Sequence, residues 1–190
     1  MPLGPEHAQA LALAAAESRA AYGFSPVPNG LDEVTQYIAD ALRGRERGER
    51  FAFATAWRGR IVGSTSYFDY QPWRWPAGSP LQRTDRPDVC EIGYTWLAAS
   101  AQRTRCNSEA KLLMLRHAFE AWQVHRVSLR TDVRNERSRA AILRIGAQLE
   151  GVRRADKPSS DGLVRDSVFF SIVSAEWPGV RARLIEQLAR

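Results

Sequence analysis

Residues 90–122 read CEIGYTWLAASAQRTRCNSEAKLLMLRHAFEAW, and their order decides the fold. A β-rich opening gives way to a short polar, basic loop, Gln102-Arg103-Thr104-Arg105, which runs straight into a long apolar segment. Leu112, Leu113, Met114, Leu115, Phe119 and Trp122 make that segment apolar on most sides, so a helix over 107–122 is expected to lie buried against a sheet. Its start is then held fixed. A helix N-terminus presents backbone N–H groups with no intrahelical partner and a partial positive charge, which together suit a phosphate. Asn107 or Ser108 is placed to cap this helix, and Glu109 in its first turn suits the dipole.

Outward from this stretch, the chain alternates strand and helix. A strand over Val89–Leu97 precedes the helix 107–122. A strand over 126–131 is followed by a helix over 135–145, which Gly146 can end in a left-handed conformation. A β-rich run over 163–173, then Glu176-Trp177-Pro178 and a short helix, complete the C-terminal half. The pattern is α/β (or α+β) with a mixed sheet. Asn135 is placed to cap the helix that follows it, and Ser138 falls at the third helical position. Both lie at the end of the sheet where ligands of α/β folds bind, beyond the carboxyl ends of the strands.

The first ~45 residues read as helical, with boundaries good to a few positions. Leu11, Ala14 and Ala15 form one apolar stripe, and Leu31, Val34, Ile38 and Leu42 form a second after the break at Pro26, Pro28 and Gly30. The β-rich segments 51–57 and 60–67 flank Arg58-Gly59, a hairpin signal. Residues 71–88 hold four prolines with Trp73 and Trp75, so they predict a long loop: either a surface piece that covers the core or a lid over a substrate pocket.

With 190 residues and 44% hydrophobic content, the chain is expected to form one domain, 1–190, with its own core. Cys90 and Cys106 make neither a disulfide framework nor a metal-ligand spacing, so no metal is expected. The apolar run 10–16 follows Glu6 and His7 rather than a cluster of cations, and nothing approaches the ~20 apolar residues of a membrane span. A cytoplasmic protein without a membrane partner is the expectation. The net charge of +6 comes almost wholly from arginine, with Lys111 and Lys157 the lone lysines. That charge is scattered and accompanies no recognition-helix motif, so no nucleic-acid partner is expected.

The segments EIGYTWL, QRTRCNSEAK, RTDVRNERSRAAILRIGAQLEG and RDSVFFSI with EWP, in this order over roughly half of the chain, resemble the GNAT superfamily of N-acyltransferases, and within it the RimJ/RimL-like branch. The resemblance implies a mixed central sheet whose middle strands splay apart, flanked by helices. It implies acetyl-CoA as cosubstrate, with pyrophosphate on the loop Arg103, Thr104, Arg105, Cys106, Asn107 and Ser108, and with Gln102 also among the cofactor-binding residues. The pantetheine arm is then expected along Thr95, Trp96 and Leu97, with Asn135 on its other side. It implies acetyl transfer to a primary amine (a protein N-terminus, a lysine or a small amine) by direct attack in a ternary complex, by a monomer or homodimer. A non-catalytic acyl-CoA sensor of the same fold is the alternative. Glu91, on the strand that flanks the wedge, is the candidate base, with Asp156 and Asp166 in reserve, and Ser138 matches the serine that protonates the departing thiolate. Arg105 stands where the family's loop has a glycine; it either crowds the loop or adds a cation to the phosphates.

Overall fold

The computed structural model describes residues 1–189. Two helices, α1 (Ala8–Ala16) and α2 (Gly30–Glu46), precede a hairpin of β1 (Arg50–Trp57) and β2 (Arg60–Gln71). Arg58 and Gly59 turn it at φ 49° and 76°, the left-handed pair that a two-residue hairpin loop requires. Strand β3 (Val89–Leu97), helix α3 (Cys106–Arg116), strand β4 (Arg126–Asp132) and helix α4 (Glu136–Arg144) follow. The chain then adds β5 (Gln148–Pro158), β6 (Val164–Val173) and α5 (Trp177–Ala189).

The six strands form one mixed sheet in the order β1-β2-β3-β4-β6-β5. All neighbours are antiparallel except β3 and β4, which run parallel and pair over only three rungs: Val89↔Arg126, Cys90↔Val127 and Glu91↔Ser128. Beyond Glu91, β3 stays paired with β2 out to Leu97, and β4 stays paired with β6 out to Asp132. The two central strands therefore splay.

The sheet carries a core on each face. Leu11, Val34 and Ile38 from α1 and α2 pack with Ala52, Val62 and Trp96 on one face. Leu115, Ile142 and Leu184 from α3, α4 and α5 pack with Ile92, Val127 and Ile172 on the other. Of the expected stripe on α2, Leu31 is exposed, because it stands one turn before the sheet contact begins. Likewise α3 is not apolar all round: Leu113 faces solvent and Lys111 lies inside. This helix starts at Cys106, not Asn107, and its last turn loosens into a π-turn over His117–Ala121. Strand β5 has no counterpart among the elements expected from the sequence. It is an edge strand whose residues are exposed except for the partly buried Gly151 and Asp156, so it lacks the apolar alternation that marks half-buried strands. Among the described residues, no helix is long and apolar enough to cross a membrane.

Residues 72–88 form the long connection between β2 and β3. Buried Asp88 ties it down: Oδ2 accepts from Trp73 N at 2.7 Å and Oδ1 from Trp75 Nε1 at 3.0 Å. Trp73 also stacks on His125 at 5.3 Å, just ahead of β4. Replacing Asp88 by Ala removes both acceptors and leaves the indole N–H to find water. A loss of about 1–3 kcal/mol is expected, read by chemical denaturation, with faster proteolysis confined to 72–88. Unchanged protection of that segment would show that the tryptophan stacking and the Arg86 and backbone hydrogen bonds hold the loop without the Asp88 carboxylate.

Candidate active site

Glu91 sits on the last shared rung of β3 and β4, at the apex of the wedge, and is 2% exposed. Its Oε1 accepts from Arg130 Nε at 3.0 Å. The Arg130 guanidinium is itself held between the rings of Phe68 and Phe169, each 5.6 Å away. Burial pushes the Glu91 carboxyl up to about 7, against the lowering influence of Arg130. A carboxylate poised there can take a proton at neutral pH.

Irregularities in both ladders frame this residue. The β2–β3 register shifts between Phe68 and Gln71, and again between Ser64 and Ser66. Asp69 (φ 51°) and Tyr94 (φ 50°) occupy left-handed conformations at the two shifts. Bulges of this kind re-aim side chains, and the second one changes which face of β3 each residue meets. Before it, Cys90 and Ile92 face the α3 core; after it, Trp96 faces the α1–α2 core instead. Tyr94 is left half-exposed, packed edge-on against Phe68 at 5.0 Å and under the Arg50 guanidinium at 3.9 Å. Arg50, Phe68, Asp69, Tyr94 and Arg130, with the C-terminal end of α2, line a cleft of about 700 Å³.

On the other face of β3, Thr95 does something the sequence did not announce. Its Oγ1 accepts from Lys111 Nζ at 2.7 Å, and Lys111 also reaches Thr65 Oγ1 at 3.1 Å. Lys111 is 4% exposed and makes no ion pair among the described residues, and burial pushes it down to about 7. The sole signal in the sequence is a lysine at a helix position flanked by apolar residues, which reads equally well as a solvated side chain. The Thr95 hydroxyl is therefore engaged inside the protein, on the α3 side of the strand. The Trp96 indole lies in the α1–α2 core, edge-on to Tyr22 at 6.1 Å.

The loop after β3 leads into α3 as the sequence suggested, with a different cap. Cys106 N donates to Thr104 Oγ1 at 3.2 Å, and Arg105 occupies the cap position. Asn107 and Ser108 are inside the first turn, so neither caps the helix as expected. The helix ladder starts with Glu109 N donating to Arg105 O at 2.9 Å, so the Asn107 and Ser108 N–H groups precede it. Gln102 turns back, its Nε2 donating to Leu97 O at 2.9 Å. Arg103 is exposed with φ 58°, and the Arg105 guanidinium reaches Leu188 O at the end of α5, 3.0 Å away. Cys106 is buried beneath the loop, and burial pushes its thiol up to about 11.

Across the wedge, Asn135 caps α4: its Oδ1 accepts from Ser138 N at 3.1 Å. The Ser138 hydroxyl takes no part in that cap. The reserve bases are less well placed. Burial would raise Asp156, but hydrogen bonds from Ser167 and Arg153 and the nearby Arg130 charge hold it below the usual carboxylate range. Asp166 Oδ1 accepts from Ala155 N at 2.7 Å.

A model of the acetyltransferase (GNAT) domain family matches residues 1–148. A protein described as a candidate ribosomal N-acetyltransferase, YdaF of Bacillus subtilis (strain 168), is 36% identical over 89 residues, 47% of this chain and 48% of its own length. The chain thus aligns with about half the length of that curated relative. A candidate acetyltransferase from T. thermophilus superposes with a TM-score of 0.78 and 32% identity, covering 98% of this chain and 91% of its own. Mycobacterium smegmatis RimJ, solved with CoA-disulfide, superposes at 0.79 with 20% identity over 98% of this chain and 87% of its own, a likeness of fold.

The buried carboxyl gives a test that needs no ligand. Glu91 protonates near pH 7 when folded and near 4.5 when unfolded, so between those values the folded state holds more protons and stability falls as pH rises. Glu91→Gln is neutral throughout. It should gain on the native protein by up to about 3 kcal/mol from pH 4.5 to above 7, read by urea denaturation at each pH. Lys111→Met should behave in the opposite sense. It should be the more stable protein at pH 7, with the gap closing toward pH 10.5 as the unfolded native chain also loses its proton. A difference independent of pH in either case would mean that the group is not held as described.

Proposed function

Because the chain belongs to the GNAT acetyltransferase family, we propose that it transfers the acetyl group of acetyl-CoA to a primary amine held in the cleft beside Glu91. The observation that carries this reading is the three-rung limit on β3–β4 pairing, which leaves facing strand edges open above a buried carboxylate. The residues present suit the cosubstrate. The open edge of β3 at Thr95, Trp96 and Leu97 offers backbone groups to the two amides of a pantetheine arm, in the manner of an added strand. The Asn107 and Ser108 N–H groups, at the start of an 11-residue helix, suit a pyrophosphate. The RimJ relative, solved with a CoA disulfide, supports the same ligand. Acetyl-CoA supplies an activated acyl group as a thioester.

The chain's own residues supply proton management and orientation. An α-amine or lysine is mostly protonated at pH 7, with an unperturbed pKa of about 8 or 10. Glu91, with its carboxyl near 7, accepts that proton directly or through water, and Arg130 fixes the direction of its lone pairs. Ser138, near the start of α4, is the proton donor for the leaving thiolate. No covalent enzyme intermediate is needed, since two bound reactants in contact suffice. Cys106 is not a nucleophile: its thiol is buried and its proton firmly held. The acceptor amine belongs to a protein N-terminus, a lysine or a small molecule, in the RimJ/RimL manner.

Acetyl-CoA at millimolar concentration should raise the melting temperature, and an amine panel should release CoA. Ser138→Ala leaves the Asn135 cap in place, so it should lower kcat by about 10²-fold with acetyl-CoA binding intact. Glu91→Gln should lower kcat/KM most at low pH and less where rising pH supplies free amine. A thermal shift without CoA release from any amine would favour the non-catalytic sensor.

A further inference from the structure

We propose that Lys111 is a positioning residue for the cosubstrate: its enclosed ammonium takes its counter-charge from the phosphates held at the start of α3, so that binding takes up a proton. The inference rests on the acetyl-CoA reading and concerns a group that the transfer chemistry leaves unused.

Lys111 lies where three elements meet. It projects from α3, and its Nζ donates to Thr95 Oγ1 of β3 at 2.7 Å and to Thr65 Oγ1 of β2 at 3.1 Å. The two hydroxyls also bond to each other, at 2.8 Å, so the amine closes a triangle. Only 4% of the residue is exposed. A cation enclosed in this way is costly unless an opposite charge lies close by. None does among the described residues. The titratable group that acts on Lys111 is the buried Cys106 of its own helix. Strands β2 and β3 bring it hydroxyls, which do not titrate, and Glu109 of α3 is exposed.

Its place along the helix points to the missing charge. Lys111 is three and four residues beyond Ser108 and Asn107, whose N–H groups suit the pyrophosphate. That is roughly 4.5–6 Å along the axis, and helical side chains lean back toward the N-terminus. Its Nζ also stands directly behind Thr95, on the strand whose edge suits the pantetheine arm. A ligand on that edge strips water from the strand, which favours the neutral amine. Lys111 has almost no exposure left to lose, so the added negative charge outweighs that effect. Buried charges are also screened little by salt.

The sign follows. Burial pushes the free amine down to about 7, while the Cys106 thiol, pushed up to about 11, keeps its proton at neutral pH. Phosphates at the helix start favour the ammonium and raise its midpoint. Between the free and bound midpoints the complex holds more protons than its separate parts, so affinity falls as pH rises above 7. Glu91 also titrates near 7, and an anion nearby would shift it in the same sense. The measurement must therefore read Lys111 itself.

Lys111 and Lys157 are the two lysines of the chain, which makes that reading direct. The full chain is labelled with ¹³C at the lysine ε-carbon, and Lys157→Arg assigns the two signals. Each is titrated from pH 6 to 9, alone and saturated with S-ethyl-CoA, a thioether that keeps the phosphates and pantetheine but has no acetyl group to transfer. The Lys111 midpoint should rise by about one pH unit on binding. Affinity for the thioether, measured by calorimetry, should fall by about tenfold more across that range in the native chain than in Lys111→Met. The native titration decides the matter even if the variant folds poorly. A Lys111 midpoint that stays in place or drops in the complex would overturn the proposal alone, as would a Lys111→Met chain that keeps the full pH dependence. No binding of the thioether or of acetyl-CoA at millimolar concentration would overturn the acetyl-CoA reading with it.

Discussion

The site depends on one constraint: β3 and β4 pair for three rungs and no more. Two parallel strands left side by side would go on pairing, because unpaired backbone N–H and C=O groups are costly to bury. The separation persists because each strand is gripped elsewhere. Strand β3 is held by β2 as far as Leu97, and β4 by β6 as far as Asp132. The cores pull them apart as well. Past its bulge, β3 buries Trp96 in the α1–α2 core, while β4 buries Leu129 in the α3–α5 core. The cleavage of the sheet thus follows from a two-sided core, and the open edges it leaves suit an extended ligand with its own amides.

The same bulge explains the placement of two buried ionisable groups. Glu91 precedes it and Thr95 follows it, so the carboxylate meets Arg130 on one face while the Thr95 hydroxyl meets Lys111 on the other. Each group is moved toward neutrality by burial, the carboxyl up and the amine down, both to about 7. Their roles differ. Glu91 is held by Arg130, which lines the cleft. Lys111 is enclosed, and its hydrogen bonds tie α3, β2 and β3 together at the point where the strand changes face. A lysine there reaches two hydroxyls at once, which an apolar side chain of similar length cannot do.

Much of the fold was legible because its central elements carry strong local signals. The hairpin at Arg58-Gly59, the strand Val89–Leu97 and the cap at Asn135 follow from turn chemistry, β-propensity and capping spacing. Strand β5 was not legible, since Arg153, Arg154 and Lys157 place charge where an alternating pattern would show apolar residues. Its pairing to β6 comes from the tertiary fold. Around the wedge, the sequence singled out Glu91 from its strand position, but not Arg130, Phe68, Asp69 and Tyr94, which the structure sets near it. They converge from different strands, and nothing in their spacing along the chain reports that. The start of α3 at Cys106, with Arg105 at the cap position and Thr104 Oγ1 accepting from Cys106 N, was missed because the apolar pattern begins later than the helix does.

The loop that leads into α3 resolves differently from what its sequence suggests. Arg105 replaces a glycine of the family pattern, yet its backbone sits at φ −71° and ψ −12°, a right-handed conformation open to any residue. Backbone geometry therefore places no demand for glycine at 105. The demand falls on Arg103, which adopts φ 58° as an exposed arginine, a conformation costing roughly 1 kcal/mol or more without a glycine. Steric crowding is relieved in a second way, since the Arg105 side chain turns to the Leu188 carbonyl rather than over the first turn of α3. A positive side chain is thus tethered next to the helix start while the Asn107 and Ser108 N–H groups stay clear. The substitution exchanges close approach at one residue for a cation held at the margin, and it couples the loop to α5, the last helix of the chain.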